Sequence, residues 1–233
     1  MGNLYIVATP IGNLQDITIR AIDTLNLVDL IVSEDTRKTG QLLKSLNEKF
    51  NAKIKKQTFI SYFEHNEEKK IPEIISYLKQ GLNVALVSDA GTPTISDPGF
   101  KLVRECINQE IKVISIPGPS SAISALVSSG LATDKFTFLG FLPKKAGHRL
   151  TFLDKIKNSS KFLKATYIIF VPPHDFIETL GNLQSEFSDI SIVVARELTK
   201  IFEEIKRDKI SKLIAYYSKQ KPKGEMVVLF RVD

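Results

Sequence analysis

Short apolar runs alternate with amphipathic stretches along the first half of the chain. The apolar runs predict buried strands at residues 4–10, 30–35, 58–63, 83–89 and 111–116. Apolar positions three and four residues apart predict helices over 17–28, 38–46 and 67–80, and Asp97 with Pro98 is placed to open a fourth. Asp16 is placed to cap the first helix. This alternation predicts a parallel sheet with helices on both faces.

The second half continues the alternation in a looser order. Residues 117–130 predict a turn and a helix capped by Ser120 or Ser121. Further strands are predicted at 136–142, 166–171, 191–196 and 225–231, with a short additional strand at 202–207 and helices near 145–157, 175–186 and 208–218. We therefore expect an α/β fold of two domains, residues 1–117 with a parallel-type sheet and residues 118–233 with a mixed sheet.

The composition suits two globular domains. The 233 residues are 43% hydrophobic and 25% charged, enough for two buried cores. The single cysteine, Cys106, allows no intrachain disulfide and no multi-cysteine zinc site. No apolar run reaches the roughly 18 residues of a membrane span, and the N-terminus carries no basic segment typical of a signal peptide. We expect a cytoplasmic protein without membrane attachment.

Charge is divided unevenly between the two halves. Residues 1–117 contain 14 Lys and Arg against 14 Asp and Glu, and residues 118–233 contain 18 against 12. The whole net charge of +6 therefore lies in the second half. Two interpretations remain open: an acidic partner for that half, or lysine-rich helix faces that only keep the protein in solution.

Several common chemistries lack their motifs. None of the 12 glycines is followed by another glycine two positions later, which excludes the dinucleotide fingerprint. No Gly-Lys pair exists for a Walker-type phosphate loop, and the three histidines show no zinc-protease spacing. The nucleophile motif of α/β-hydrolases is also missing. We expect no metal site.

Proline- and glycine-rich strand ends stand out instead. Three lie in the first half, VATPIG at 7–12, VSDAGTP at 87–93 and SIPGPSS at 115–121, and FVPP at 170–173 lies in the second. Ligands of open parallel sheets bind at the carboxyl ends of the strands, where such loops expose backbone groups to a small molecule. The alternative is that proline and glycine only end the strands.

These loops and several other stretches resemble a known family. The stretches are ATPIGNLQDIT at 8–18, SEDTRKTGQLL at 33–43, EHNE at 64–67, SDAGTPTISDPG at 88–99, PGPSSAISAL at 117–126, GFLP at 140–143 and RELTKIFEE at 196–204. They are similar to the small-subunit ribosomal RNA 2'-O-ribose cytidine methyltransferases of the tetrapyrrole methylase superfamily. The resemblance implies a homodimer that methylates this RNA, with S-adenosylmethionine (SAM) bound in a cleft between two α/β domains.

The resemblance also implies the residues of the SAM site. The proline- and glycine-rich loops are expected to contribute Pro10, Gly12, Asp89, Gly91, Thr92, Pro93, Pro117, Gly118, Ser120 and Ser121. The second domain is expected to contribute Arg196, Glu197, Thr199, Gly224 and Glu225. Carboxylates and carbonyl oxygens suit the cationic groups of SAM, and methyl transfer depends mainly on alignment of the reacting atoms.

Four residues are candidates for catalysis. The ribose 2'-hydroxyl is weakly acidic and reacts better beside a base, for which Asp35, Glu64 and His65 are candidates, and Arg37 can hold a phosphate. Structural interpretations stand beside these roles: Asp35 caps the helix that begins near Arg37, and His65 with Asn66 forms a turn or a helix N-cap.

A basic cluster in the second half offers a surface for RNA. The cluster follows the predicted strand at 136–142 and consists of Lys144, Lys145, His148 and Arg149. We expect a mobile loop that binds RNA phosphates, because loops are where a scaffold places substrate contacts. The alternative is a solvated loop that contacts nothing.

Two features depart from the family pattern. VPPHD at 171–175 replaces the family's Glu-Ser-Pro-His-Arg stretch. Many members extend further at the C-terminus, so we expect part of an RNA-binding surface to be missing. Two alternatives therefore stay open: a superfamily relative that methylates a tetrapyrrole, another small molecule or a protein, and a non-catalytic module that still binds SAM or RNA.

Overall fold

The computed structural model describes residues 1–220 and 222–232, which form two compact units. The first spans Met1–Ser120 and the second Ser121–Asp233, so the division falls at residue 120, against a predicted boundary at 117. Among the described residues, each unit has one five-stranded sheet. The sheet is parallel in the first unit and mixed in the second, which confirms the predicted α/β fold class.

The first unit alternates strands and helices. Its strands are β1 (Leu4–Val7), β2 (Leu30–Ser33), β3 (Thr58–Ser61), β4 (Val84–Val87) and β5 (Val113–Ile116). Its helices are α1 (Ile19–Leu27), α2 (Thr36–Phe50), α3 (Glu67–Lys79) and α4 (Phe100–Asn108). The strand order is β3-β2-β4-β1-β5, and every neighbouring pair runs parallel.

The core of this unit has two layers. Consecutive strand residues point to opposite faces of the sheet, so each strand contributes to both layers. Val7 and Ile31 belong to a buried cluster with residues of α1 and α2. Ile6 and Val32 belong to a second cluster with residues of α3 and α4. Helices therefore cover both faces of the parallel sheet, as predicted.

Two helix starts differ from the sequence-based assignment. Thr18, and not Asp16, caps α1: its side chain accepts a hydrogen bond from the backbone N–H of Ala21, whereas Asp16 lies in a short 3-10 turn. The assignment of Asp97 and Pro98 as the start of α4 is also wrong. The helix begins at Phe100, because the chain first turns at Gly99 with a φ of 131°, a conformation that favours glycine.

The second unit begins with a helix and continues with a mixed sheet. Its helices are α5 (Ser121–Ser129), α6 (Ala146–Ser160), α7 (Phe176–Phe187) and α8 (Ile210–Lys219). Its strands are β6 (Phe136–Phe141), β7 (Thr166–Val171), β8 (Ser191–Arg196), β9 (Glu204–Lys209) and β10 (Met226–Arg231). The order is β6-β7-β10-β8-β9, with β6 and β7 parallel and the other neighbours antiparallel.

Three helices of this unit pack on one face of its sheet. Leu153 of α6, Leu180 of α7 and Leu213 of α8 are buried in one cluster with Ile169 and Val228 of the central strands. The predicted additional strand near 202–207 is β9, which pairs with β8. Within the described residues, none of the helices combines the length and the apolar character that crossing a membrane requires.

Candidate functional site

The carboxyl ends of β1 and β4 lie side by side in the middle of the first sheet. The chain leaves β1 towards α1 on one face, and it leaves β4 towards α4 on the opposite face. Where neighbouring loops diverge in this way, a crevice opens at the carboxyl ends of the strands, and ligands of open α/β sheets bind there. This side of the sheet, formed by the carboxyl ends of its strands, is its carboxyl edge. The proline- and glycine-rich loops after β1, β4 and β5 all lie at this edge.

Hydrogen bonds hold these three loops together. Thr9 and Gly91 form an antiparallel bridge with N–H to carbonyl oxygen distances of 2.8 and 3.0 Å. The buried Thr9 hydroxyl donates to the carbonyl of Ser88 at 3.2 Å, and the Thr92 hydroxyl donates to the carbonyl of Pro119 at 3.0 Å. The structure therefore joins segments that are far apart in the sequence into one surface.

Two glycines allow these loops to pack closely. Gly91 has a φ of 82°, and a Cβ there would lie 3.3 Å from Cγ2 of Ile11. A Cβ on Gly118 would lie only 2.9 Å from Cβ of Ala8. Gly91 is buried and both its N–H and its carbonyl bond to Thr9, so glycine at this position lets two loops approach each other closely. Gly118 is exposed, so a flat ligand such as a nucleoside can approach its backbone closely.

The other predicted residues of these loops lie nearby in the chain. Pro10 and Gly12 follow β1, Pro93 follows Thr92, and Pro117 follows β5. Pro93 is buried and stiffens its loop, whereas Gly12 and Pro117 are exposed. Two serines remain: Ser120 is the last residue of the first unit, and Ser121 is the first residue of α5.

Carboxylates gather where β2 and β4 end. Asp89 accepts a hydrogen bond from the backbone N–H of Asp35 at 3.2 Å and another from Nζ of Lys38 at 2.6 Å. Burial, followed by the negative charges of Asp89 and Asp97, raises the pKa of Glu34. Four carboxylates against two cations, Lys38 and Arg37, give this part of the sheet an excess of negative charge, which suits a cationic ligand.

Asp35 is the N-cap of α2, as one of its two interpretations predicted. Its carboxylate accepts a hydrogen bond from the backbone N–H of Arg37 at 2.9 Å, and it pairs with Nε and Nη2 of the same arginine at 3.1 and 2.9 Å. The side-chain hydrogen bond from Arg37, followed by the backbone one, lowers the pKa of Asp35 to about 2. The Arg37 side chain is 89% exposed, so its remaining N–H groups face solvent.

Glu64 and His65 lie in an exposed turn after β3. Asn66 fixes the turn: its amide oxygen accepts a hydrogen bond from the backbone N–H of Phe63 at 2.8 Å, and its amide nitrogen donates to the carbonyl of Ser61 at 3.0 Å. Asn66 also occupies the N-cap position of α3. Because β3 runs parallel to β2, this turn lies at the same edge of the sheet as the β2–α2 junction.

In the second unit, predicted residues form a network at the ends of β8 and β10. The Glu197 N–H donates to the carbonyl of Glu225, and the Glu225 N–H donates to Oε1 of Glu197, both at 3.0 Å. Lys200 pairs with the two carboxylates at 2.9 and 3.0 Å. Burial opposes the charge of Glu197, but the hydrogen bonds from Lys200 and the Glu225 N–H outweigh it and lower its pKa.

The remaining predicted residues of this unit support the same network. A Cβ on Gly224 would collide with the Glu197 side chain, so this position requires glycine. Arg196 donates to the carbonyl of Lys223 at 3.4 Å, and the Thr199 N–H donates to the carboxylate of Glu203 at 2.5 Å. The network thus binds the two strand ends to each other.

The prediction of a mobile basic loop is wrong for Arg149. Residues 146–160 form α6, in which Arg149 is only 2% exposed. Its guanidinium donates to Oδ1 of Asn182 at 2.8 Å and pairs with Glu178, both on α7. Arg149 therefore joins two helices inside the unit. The other members of the cluster are exposed: Lys144, Lys145 and His148.

The VPPHD segment makes the turn into α7. Pro173–Asp175 form a 3-10 turn, with Asp175 at the N-cap position of the helix. His174 is exposed and lies 3.5 Å from Asp175. Across residues 1–220 and 222–232, no three His, Cys, Asp or Glu side chains are close enough together to hold a metal ion.

Sequence reasoning missed three residues near the first sheet edge. Glu34 and Lys38 stand inside SEDTRKTGQLL, so their position just after a strand was an available signal. Glu67 ends the EHNE stretch and is 6% exposed. No local pattern indicates that a glutamate among charged neighbours is buried.

Known proteins resemble the chain over nearly its whole length. The family of tetrapyrrole (corrin/porphyrin) methylases matches residues 3–214. Ribosomal RNA small subunit methyltransferase I of Streptococcus pyogenes serotype M3 is 44% identical over 228 residues, which cover 98% of this chain and 76% of that protein. The protein of the same name from Thermotoga maritima is 44% identical over 229 residues, 98% of each chain. The one from Synechocystis sp. is 46% identical over 230 residues, 98% of this chain and 78% of that protein.

Solved structures share the fold at much lower identity. Diphthine synthase has a TM-score of 0.71 at 17% identity, covering 98% of this chain and 90% of that chain. Uroporphyrin-III C-methyltransferase from Thermus thermophilus, complexed with S-adenyl homocysteine, has a TM-score of 0.66 at 14% identity, covering 98% and 97% of the two chains. Each likeness concerns the arrangement of strands and helices.

Proposed function

The chain belongs to the tetrapyrrole (corrin/porphyrin) methylase family, and from this premise we propose that it transfers a methyl group from SAM to small-subunit ribosomal RNA. The observation that carries the proposal is the identity of 44–46% over 98% of the chain with ribosomal RNA small subunit methyltransferase I from three bacteria. The acceptor is the 2'-hydroxyl of a cytidine ribose, in keeping with the EDTR and EHNE stretches of the sequence.

The edge of the first sheet fits SAM by its chemistry. Gly118 leaves exposed backbone for a nucleoside, Gly91 allows the close packing of the loops after β1 and β4, and Asp89 with Glu34 supplies negative charge for a cation. When bound, SAM supplies the methyl group on a positively charged sulfur. Thr92 keeps the loops after β4 and β5 together and so preserves the shape of the binding surface. The five predicted residues of the second unit remain candidates for further contacts.

Asp35 and Arg37 suit the RNA side of the reaction. Asp35 holds the guanidinium at the start of α2, and the outward N–H groups of Arg37 can bind a phosphate in a bidentate manner. In this account Asp35 positions Arg37 and is not the base. A carboxylate with a pKa of about 2 accepts a proton poorly at neutral pH.

Glu64 and His65 remain as candidates for accepting the proton of the 2'-hydroxyl. Both are exposed at the same sheet edge as Asp35, so a substrate can reach them. His65 is the stronger candidate, because an unprotonated imidazole nitrogen can accept the proton of the hydroxyl and pass it on to solvent. In that role a ring nitrogen of His65 would take the proton of the ribose hydroxyl, while SAM would supply the methyl group and leave as S-adenosylhomocysteine.

The charge of the second unit suits the same substrate. Residues 118–233 contain 18 Lys and Arg against 12 Asp and Glu, and the exposed Lys144 and Lys145 stand at the start of α6. RNA phosphates release counterions when they meet such a surface.

The proposal includes action as a homodimer, in the cytoplasm, on RNA within the small subunit.

Transfer of a labelled methyl group tests the proposal. The protein is incubated with methyl-labelled SAM and, separately, unmodified small subunits, free ribosomal RNA and a tetrapyrrole. We expect the label in RNA of the small subunit, recovered as 2'-O-methylcytidine after nuclease digestion and mass spectrometry. The Gly91→Val variant should fail. Gly40→Ala is the matched control, because a Cβ there meets nothing within 4 Å.

The alternatives give different results. Label in the tetrapyrrole would favour a superfamily relative with a small substrate. SAM binding without transfer to any acceptor would favour a non-catalytic module. Label on a base instead of a ribose would contradict the proposed acceptor.

A further inference from the structure

Glu67 is a buried carboxylate that the proposed chemistry leaves without a role. It begins α3, and its side chain is 8% exposed. Its Oε1 accepts hydrogen bonds from the Tyr62 hydroxyl at 3.1 Å and from the backbone N–H of Gly99 at 3.0 Å. Nζ of Lys101 lies 3.6 Å from its other carboxylate oxygen. Glu67 therefore connects the end of β3 with the segment that leads into α4.

That segment is the C-terminal end of a strained loop, residues 88–99. The C-terminal end, at Gly99, is the rear of the loop, and the part with Gly91 and Thr92 is its front. Four of its residues have positive φ angles: 82° at Gly91, 74° at Thr94, 64° at Ser96 and 131° at Gly99. Residues with side chains avoid this region, threonine with its branched Cβ most of all. A loop with such a backbone keeps its shape only where its surroundings impose it.

The surroundings hold this loop at both ends. At the front, Gly91 forms its bridge with Thr9, and the Thr92 hydroxyl bonds to the carbonyl of Pro119. At the rear, the buried Gly99 donates its N–H to Glu67. Gly99 also packs against Leu86 so closely that a side chain does not fit, because a Cβ there would lie 2.6 Å from Cδ2 of Leu86.

The Tyr62 hydroxyl keeps the Glu67 carboxylate in place. Burial, followed by the charge of Glu67, raises the pKa of Tyr62, so its hydroxyl stays a donor throughout the neutral range. Tyr62 directly precedes the turn that carries Glu64 and His65. One buried carboxylate thus contacts both the loop with Asp89 and Gly91 and the strand end beside the candidate proton acceptors.

We propose that Glu67 is a positioning residue for SAM: by holding the rear of loop 88–99 to α3 and Tyr62, it keeps the front of that loop in the shape that binds the cofactor. The inference rests on the proposed function, because it takes the front of the loop as part of the SAM site. Glu67 acts through Gly99 and touches neither SAM nor RNA.

The Glu67→Ala variant tests this role. The buried Gly99 N–H loses its acceptor and the loop relaxes, so SAM affinity measured by calorimetry should fall about tenfold. RNA affinity measured by filter binding should stay within about twofold, since phosphate contacts depend on basic groups elsewhere. Urea unfolding at the same temperature shows the fraction that is folded.

Glu68→Ala is the matched control. Glu68 is the next residue of α3, its side chain is 82% exposed, and it shares Lys101 with Glu67 at 3.0 Å. Its carboxylate bonds to Lys101 and not to Gly99. SAM affinity should therefore be unchanged, which separates loss of the loop anchor from loss of charge on the helix.

Glu67→Gln tests the acceptor itself. The amide oxygen can still accept the hydrogen bond from Gly99, so SAM affinity should return to within about threefold of the wild-type value. Hydrogen exchange at the Gly99 amide should be slow in the wild type and in Glu67→Gln, and fast in Glu67→Ala.

Should Glu67→Ala fail to fold, Tyr62→Phe replaces it. This variant keeps the ring, removes one donor to the carboxylate, and should weaken SAM binding a few-fold with RNA binding unchanged.

Two results would overturn the inference. One is a folded Glu67→Ala protein, or a folded Tyr62→Phe protein in its place, with wild-type SAM affinity. The other is an equal loss of SAM and RNA affinity that matches the loss of folded protein, as a purely structural role requires. If the wild-type protein binds no SAM, the proposed function fails and the positioning role fails with it. Wild-type binding with an unaffected variant contradicts the positioning role alone.

Discussion

The two units finish their strands in opposite ways. At the carboxyl ends of the strands in the first sheet, loops from three strands bond to one another, and Gly118 stays exposed. In the part of the chain that the structure describes, no hydrogen bond reaches the Glu34 carboxylate at this edge. At the ends of β8 and β10, by contrast, Glu197, Lys200 and Glu225 bond to each other. The first arrangement keeps an exposed glycine and the Glu34 carboxylate outside its hydrogen bonds, whereas the second uses its carboxylates to hold two strand ends together.

The two units also differ in net charge, but not every basic residue of the second unit is exposed, contrary to what the sequence alone suggests. The first half is neutral and the second carries the net +6. Arg149 nevertheless lies inside the second unit, bonded to Asn182 and Glu178. A count of charges therefore gives the net charge of each unit, and only the structure shows which basic side chains are exposed.

The largest effect should come from straining the loop after β4 in the first unit. Gly91→Val forces a branched side chain into a φ of 82° beside Ile11. Strain of this kind costs about 1–3 kcal/mol, so SAM affinity should fall about tenfold to a hundredfold as the loop moves to relieve it. Calorimetry measures the affinity, and circular dichroism checks the fold. Unchanged affinity in a folded protein would remove this loop from the SAM site.

The next effect concerns the interior of the second unit. Arg149→Met keeps an apolar stem and removes the guanidinium, so Asn182 loses its buried donor. The free energy of unfolding should fall by about 1–3 kcal/mol in urea titration. Lys145→Met, four residues earlier and exposed, should change it by less than about 0.5 kcal/mol. Equal stabilities for the two variants would mean that Arg149 is exposed, as predicted from the sequence.

A smaller effect should follow from reversing charge on the surface of the second unit. Replacing Lys144 and Lys145 with Glu should weaken RNA binding. It should also flatten the plot of log affinity against log salt by about 0.7–0.9 for each RNA phosphate that the variant no longer binds. Filter binding at several salt concentrations measures the slope. The matched control reverses Lys161 and Lys164, beyond the opposite end of α6. Identical slopes in both double variants would mean that the start of the helix has no special part in RNA binding.

The smallest effect concerns Asp35. Its folded-state pKa of about 2 lies below the ordinary value of 3.8, so the charged form stabilises the fold above pH 3.8 and this stabilisation is lost as the pH falls towards 2. Asp35→Asn keeps a capping oxygen and removes the charge. The urea midpoints of the two proteins should therefore differ slightly at pH 7 and converge only as the pH falls to about 2. A gap that widens as the pH falls would contradict the pairing with Arg37.

The order of strands and helices was predictable because each element carries its own pattern. Buried strands read as apolar runs, and the loops at one edge of a parallel sheet follow from that order. The N-cap residues Thr18 of α1 and Gly99 of α4 were not predicted. Several adjacent residues could cap each helix, and only the backbone angles decide between them. The family predicted from the motifs is confirmed by the matched family and relatives.

The misses at the level of single side chains have one physical cause. Arg149 is buried by partners 29 and 33 residues away in the chain, and Glu67 bonds to a backbone group 32 residues away. Local spacing carries no information about such partners, so a charged residue reads as exposed by default. The carboxylate of Asp35 was predictable as a cap, since that bond lies within its own helix start.

Hydrogen exchange of the wild-type protein, with and without SAM, tests most directly the claim that the edge of the first sheet binds the cofactor. The account predicts that SAM slows exchange of backbone amides in residues 88–99 and 117–120. Residues 51–57, which precede β3 at the opposite edge of the sheet, should exchange at the same rate in both samples. Slower exchange confined to the second unit, with residues 88–99 unaffected, would contradict the account.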